Sequence, residues 1–347
     1  MRKYSIFLIL FVILSSDFPL TNRSWPNSTK IQSMETYNLT SQENSLYGIT
    51  KHGNLIYLSD FYADGFISYN TLNHQIKNIS IPSSRIPCNP ELIEYYDGKL
   101  FLPCSSKKVI FIFDINSSVF LIFSFEEFFT DENDWLIASI FIDDIKNQIL
   151  FVNRKSTNLI IYTNLSSFEI ENTNELGLYS VARLDNDILI FSNLDKSRIS
   201  LFSEKTGRIL QTISFDKSYM VKTINNKVSV TSQESGSVLT ATFDQRNKRI
   251  LLDTSRFTFT QNQIPSSTNK LKAPIYLNDL IFFQDKVFIS ARTSGLFILN
   301  ISSNTIDHVH FDNFSPTKMV SIIMHDSFSL FTVNRGLGNL DILNFKP

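Results

Sequence analysis

A chain of 347 residues with 43% hydrophobic content can bury a sizeable core, which excludes global disorder. Its 32 basic and 33 acidic residues leave a net charge of −1, so no broad positive field invites nucleic acid or an anionic membrane. Glycine is scarce at 10 residues, and neither a phosphate-cradling loop nor a dinucleotide fingerprint occurs.

Met1-Arg2-Lys3-Tyr4 is basic, Ser5 to Leu14 is almost wholly apolar, and Ser15-Ser16-Asp17 is small and polar. This is the pattern of a secretory signal, expected over residues 1–16. The apolar stretch is shorter than the roughly 18 residues that a membrane span needs, and no later run reaches that length. Residues 17–347 are therefore expected as one secreted, extracellular, monomeric domain without a membrane span. Eight Asn-X-Ser/Thr sequons, at Asn22, Asn27, Asn38, Asn78, Asn116, Asn164, Asn300 and Asn313, fit a glycosylated product of that route. Two cysteines, Cys88 and Cys104, flank a hairpin turning at Asp97-Gly98, so its outer ends can meet in one disulfide. Without a histidine cluster beside them they make no zinc site.

From Ser33 onward the chain reads as short strands rich in β-branched and aromatic residues, punctuated by Asn, Asp, Ser and Gly. Ser33 to Thr40 predicts a single strand. The clearest repeat unit is Trp135 to Asn172: LIASIFI, a turn at Asp143 to Asn147, ILFV, a turn at Arg154 to Asn158, LIIY, a turn through Asn164, and SFEI. Further units begin at Ser45, Glu91, Leu178, Tyr219, Ile275 and Lys318, giving spacings of 41 to 56 residues. A four-stranded meander cannot cover its own faces, and this period is that of propeller blades. The fold expected is all-β, a single propeller of seven sequence units. The unit from Lys318 runs out of chain after its third strand. The strand near Ser33 to Thr40 supplies the fourth, closing the ring and removing exposed sheet edges. The widest spacing holds Phe257 to Ala273, read as a polar surface loop. Glu126 to Asp131 allows a short turn of helix.

The search for catalytic groups is largely negative: no Gly-X-Ser-X-Gly, His-Glu-X-X-His or calcium-loop spacing occurs. His52 and His325 fall in predicted hairpin turns. His308 and His310 share one strand face, where a solvated outer strand explains them better than a metal pair. Glu126-Glu127 and Asp143-Asp144 read as loop charges, because neighbours on extended chain point apart. No catalytic residue, metal ligand or cofactor is therefore assigned. Candidate ligand-binding groups follow from geometry, since the innermost strands of a propeller line its channel. Asn278-Asp279 interrupts the apolar inner strand IYLNDLIFF, and Arg183 and Lys222 hold late positions on the inner strands of their own units. Each has a structural reading beside the functional one, as a group satisfying neighbouring backbone.

Three segments resemble the Yellow and major royal jelly protein family of secreted insect propellers. These are Ile112-Phe113-Asp114-Ile115 after Cys104, Leu159-Ile160-Ile161-Tyr162 with Ser166-Ser167-Phe168, and Tyr276-Leu277-Asn278-Asp279-Leu280. The resemblance extends loosely over residues 45–312. It departs in the order Pro103-Cys104, in the paucity of Cys and Trp, and in the unit from Lys318. It implies a six-bladed count, with members that bind biogenic amines in the channel and others linked to dopachrome conversion; Asn278 alone carries across. The function expected is non-catalytic binding of a small molecule, such as a biogenic amine, or of an extracellular protein. The alternatives are a structural extracellular protein or a propeller enzyme: a dopachrome-type isomerase, or a metal-dependent hydrolase. The hydrolase would need Asn278 and Asp279 to converge with an inner-strand glutamate, for which Glu91 and Glu94 are the candidates.

Overall fold

The computed structural model describes residues 31–40, 45–82, 87–131, 133–163, 167–252, 256–258, 275–283, 286–291, 295–303, 305–309, 319–324, 329–334 and 338–345. The leader, Asn22, Asn27, Asn164, Asn313, His310 and His325 lie outside them, as do residues 259–274, which hold most of the predicted surface loop.

The strands form seven antiparallel sheets, the blades of a β-propeller. The inner strands are, in order, Leu46–His52, Glu94–Tyr96, Ile137–Asp143, Leu178–Asp185, Ser218–Ile224, Leu277–Phe283 and Met319–Met324. Six blades take their strands consecutively from the chain. The seventh pairs Ile31–Asn38 antiparallel to Asn339–Phe345, from Ile31 opposite Phe345 to Asn38 opposite Asn339. The first strand of the chain thus completes the last blade, as expected, and Thr36 Oγ1 donates to Asp341 Oδ1 at 2.8 Å across the closure. The count is seven, not the six that the Yellow-type resemblance implies.

The burial pattern shows why the blades need one another. All of Gln148–Asn153 and all of Ile188–Asn193 are buried, so these second strands present both faces to protein. The outermost strands are largely exposed, as in Arg208–Ser214. Neighbouring blades share apolar clusters: Phe66 with Leu100 and Phe111, Phe101 with Phe151 and Tyr162, Phe191 with Leu150 and Val152, and Ile190 with Val230 and Ala241. Blade five meets blade six through Val238 and Leu277, and blade six meets blade seven where Phe288 lies 5.7 Å from Phe345. Blade seven meets blade one through Phe331, Val333, Ile67 and Tyr69, which closes the circle. At about 1.5–3 kcal/mol for each fully buried large side chain, these shared layers are the main source of stability.

Local chemistry sets the turns. Asp97 and Gly98 both have positive φ, 46° and 75°, as the tight hairpin of blade two demands. Cys88 and Cys104, at its base, form the expected disulfide, with Cα atoms 4.6 Å apart. Phe128 and Phe129 N–H both donate to the Phe125 carbonyl at 3.0 Å, a single helical turn where Glu126 to Asp131 allowed one. Two boundaries shift. Glu91 to Ile93 precede the inner strand of blade two rather than belonging to it. Phe257 is not loop: Arg256–Thr258 pairs with the strand at Ser237 to Leu239, and Phe257 packs between blades five and six. Its apolar ring wins over the polar residues that follow it.

The closure yields a prediction. A chain beginning at Leu39 exposes the edge of Asn339–Phe345 and loses the Thr36–Asp341 bond. It is expected to unfold at lower denaturant than the full chain and to self-associate; an unchanged midpoint in an equilibrium denaturation curve would contradict the closure.

Candidate functional site

In six blades the pairing of the inner strand with the second strand shifts register close to where the inner strand begins. A bulge there frees a backbone N–H and re-aims side chains toward the axis. Second-strand hydroxyls take up four of those donors: Gly48 N–H to Ser59 Oγ at 2.8 Å, Ser180 to Ser192 at 3.0 Å, Met220 to Thr231 Oγ1 at 3.2 Å and Asp279 to Ser290 at 3.0 Å. Gly48 is required by close approach, since a Cβ would stand 2.9 Å from the Ile93 nitrogen of the next blade.

At this level lies a cavity of about 180 Å³ to which all seven inner-strand segments contribute. Most of its wall comes from the beginnings of those strands. Leu92, Ile140, Met220 and Ile323 make it apolar, and Glu94, Tyr179, Tyr219, Lys222, Asn278 and Asp279 bring polar groups to it. The volume lies below the roughly 300–1,000 Å³ of drug-sized sites, so it suits a small metabolite and not a folded partner.

Glu94 is the central acidic group. Thr50 Oγ1 donates to its Oε1 at 2.7 Å, and the Tyr95 N–H approaches the same oxygen at 3.2 Å. The residue is half-buried and lines the cavity. Burial pushes its pKa above the ordinary 4.5; the Thr50 hydrogen bond and the Lys222 charge pull it down, while Asp279 pushes it up. Lys222 and Asp279 stand on blades five and six, across the ring from blade two, so these charges interact through the channel. Beside them Tyr179 and Tyr219 stack at 4.0 Å between centroids, joined by a hydrogen bond from Tyr179 to Tyr219. Burial, with Tyr219 adjacent, raises the Tyr179 phenol well above 10, so it remains a neutral donor at physiological pH. The Arg154 guanidinium lies 6.0 Å from the Tyr179 centroid and pairs with Asp195.

The sequence candidates thus separate. Asn278, Asp279 and Lys222 come together on the cavity wall, and Glu94 joins them. Arg183 does not: its Nε donates to Asp143 Oδ2 at 2.7 Å, and its two terminal nitrogens reach Glu204 at 2.7 and 3.0 Å. Lys146 adds a 2.6 Å contact to Glu204. This is a buried ionic clamp between blades three and four. Asp143, read from sequence as a loop charge, is 1% exposed and belongs to it. Burial pushes Glu204 up, but hydrogen bonds from Arg183 and Lys146 outweigh it and hold its pKa below the ordinary value.

The remaining features fall on the periphery. Asn38, Asn78 and Asn116 are exposed, on outer strands or a turn, and Asn300 Oδ1 accepts from Ser302 and Ser303 N–H at 3.1 Å. Asn116 and Asn300 lie at turns between third and fourth strands, the opposite end of the ring from the inner-strand starts that line the cavity. His52 stacks on Tyr95 and His74 bonds Tyr69, while the His308 side chain lies outside the described residues. Among the described residues, no three His, Cys, Asp or Glu gather as a metal site, and no helix is long and apolar enough to cross a membrane. Sequence reading missed Tyr179 and Tyr219. Both occupy the second position of their inner strands, 40 residues apart, and that repeated register was the available signal.

Two outcomes follow. Arg183→Met leaves Asp143 and Glu204 without their shared cation and should cost about 3–5 kcal/mol in denaturant unfolding, an effect of stability rather than binding. Glu94 holds its proton to higher pH in the folded than in the unfolded chain. Its stabilising contribution is therefore full below pH 4.5 and is lost as pH rises through the raised folded value. Unfolding midpoints across that window should decline less steeply for Glu94→Gln; identical slopes would remove Glu94 as the cause.

No protein-family profile matches the chain, and no curated protein matches it. Solved structures do resemble it in fold. Virginiamycin B lyase from Staphylococcus aureus aligns at TM-score 0.71 and 13% identity, over 90% of this chain and 99% of that one. The Swd1 β-propeller domain of Myceliophteria thermophila aligns at 0.65 and 11%, over 89% and 99%. BamB from Moraxella catarrhalis aligns at 0.54 and 12%, over 86% and 84%. A lyase and propellers with other roles share this architecture at such low identity, so the likeness establishes the β-propeller and leaves function to the site.

Proposed function

We propose that the protein is a secreted, glycosylated propeller that binds a small ammonium-bearing molecule in its central channel without turning it over. The observation that carries this reading is the convergence of Glu94 and Asp279 with the stacked Tyr179 and Tyr219 on one small cavity of mixed polar and apolar lining. A desolvated carboxylate attracts a cation far more strongly than one in water, and neutral aromatic faces add to that attraction. The basic-apolar leader, the sequons and the disulfide support the secretory part. Expression in a secretory host should release protein into the medium, with a mass that falls on enzymatic deglycosylation.

The binding part is tested by calorimetric titration with a panel of small primary amines. Affinity should rise with pH as Glu94 ionises, and Glu94→Gln should weaken binding about tenfold or more, the loss of one charged hydrogen bond. Silence across the panel and across pH, with free amino acids equally silent, would overturn the reading.

A second reading, binding of an extracellular protein, is favoured by the outer strand Val119–Ser124. Val119, Leu121 and Ile122 there are 51%, 47% and 57% exposed, on a sheet edge beside Phe128 at 65%. Sedimentation of the wild type against Leu121→Glu reports whether this edge draws a second molecule.

A further inference from the structure

The charges around the cavity are not all of one sign. Glu94 projects from blade two, while Asp279 and Lys222 stand on blades six and five across the channel, with Leu92, Ile140, Met220 and Ile323 filling the wall between. A simple amine entering this space would find carboxylates, but it would also bring a second cation into a small, half-open cavity that already holds the Lys222 ammonium. Like charges confined together in low dielectric are costly, and such a charge discriminates against the wrong ligand as firmly as a clash does. A ligand carrying a carboxylate alone meets the converse problem at Glu94 and Asp279. A molecule bearing both charges satisfies both ends.

We propose that the channel ligand is a small zwitterionic α-amino acid with an apolar side chain, its ammonium held by Glu94 and Asp279 and its carboxylate by Lys222. The size agrees: a cavity of about 180 Å³, below that of drug-sized sites, suits a ligand as small as a free amino acid. The apolar part of the wall suits a side chain such as that of leucine or phenylalanine.

This inference rests on the channel-binding reading and is separable from it by experiment. The full-length protein is titrated calorimetrically with L-leucine and L-phenylalanine, with their decarboxylated counterparts isoamylamine and phenethylamine, and with phenylalanine methyl ester. The same series is run on Lys222→Met and Lys222→Arg, each first shown to unfold at the wild-type denaturant midpoint. The expected result is that one or both amino acids bind at least tenfold tighter than the matching amine and ester. Lys222→Met should erase that margin while leaving the amine as tight or tighter, and Lys222→Arg should restore most of it. Amines binding as well as the amino acids, with no change in Lys222→Met, would overturn the zwitterion and leave the ammonium-binding channel standing. Failure of amines and amino acids alike would overturn both.

Discussion

Each blade of this ring is a sheet of four strands, with a fifth short strand in blade five, whose middle strands are buried on both faces, and a blade has no means of covering either face by itself. Gln148–Asn153 is buried along its whole length because blades two and four flank it, and each of those flanking blades stands in the same need. The requirement ends only when the last blade meets the first. That is why Ile31–Asn38 is drawn to Asn339–Phe345, at the far end of the sequence, and why Tyr69 and Phe331 share one cluster. Closure converts many local meanders into one cooperative object. It also fixes the inner strands at nearly equal distance from one axis.

The channel follows from that geometry. Inner strands crowd at the axis, so their beginnings bulge, and hydroxyls such as Ser59, Ser192, Thr231 and Ser290 take up the donors this frees. The space left at the centre is small and half open to solvent. Charges placed there pay a desolvation cost, visible as the raised pKa of Glu94, and the remedy lies partly across the ring at Lys222. Elsewhere the chain deals with buried charge differently: Asp143, Arg183 and Glu204 satisfy one another in a saturated clamp. The contrast separates a structural ion network, closed on itself, from a channel group that faces a cavity.

The architecture was legible from sequence because it is repetitive and local. Strand runs, two-residue turns such as Asp97-Gly98, the disulfide across one hairpin and the closing strand near Ser33 all follow from short-range chemistry. The boundary at Phe257 failed because one buried aromatic outweighed the polar segment behind it. The site was legible only in part. Asn278-Asp279 stood out as polar residues inside an apolar strand, and Lys222 through its late place on one. Arg183 held a similar place on its own strand, yet its partner Asp143 lies 40 residues before it on the adjacent blade and Glu204 lies 21 after it beyond the third strand of its own blade, pairings created by the fold rather than by neighbouring sequence. Tyr179 and Tyr219 were lost among the 31 Phe and 12 Tyr, since an aromatic on a strand ordinarily signals packing.

The account stands on the claim that the channel between Glu94, Asp279 and Lys222 is a binding site and not a water-filled remnant of closure. The most direct measurement is a crystal structure of the protein soaked with L-phenylalanine or L-leucine. The account predicts density for one molecule in the channel, ammonium toward Glu94 and Asp279 and carboxylate toward Lys222. A channel holding ordered water alone at saturating ligand, or ligand bound elsewhere on the ring, would contradict it.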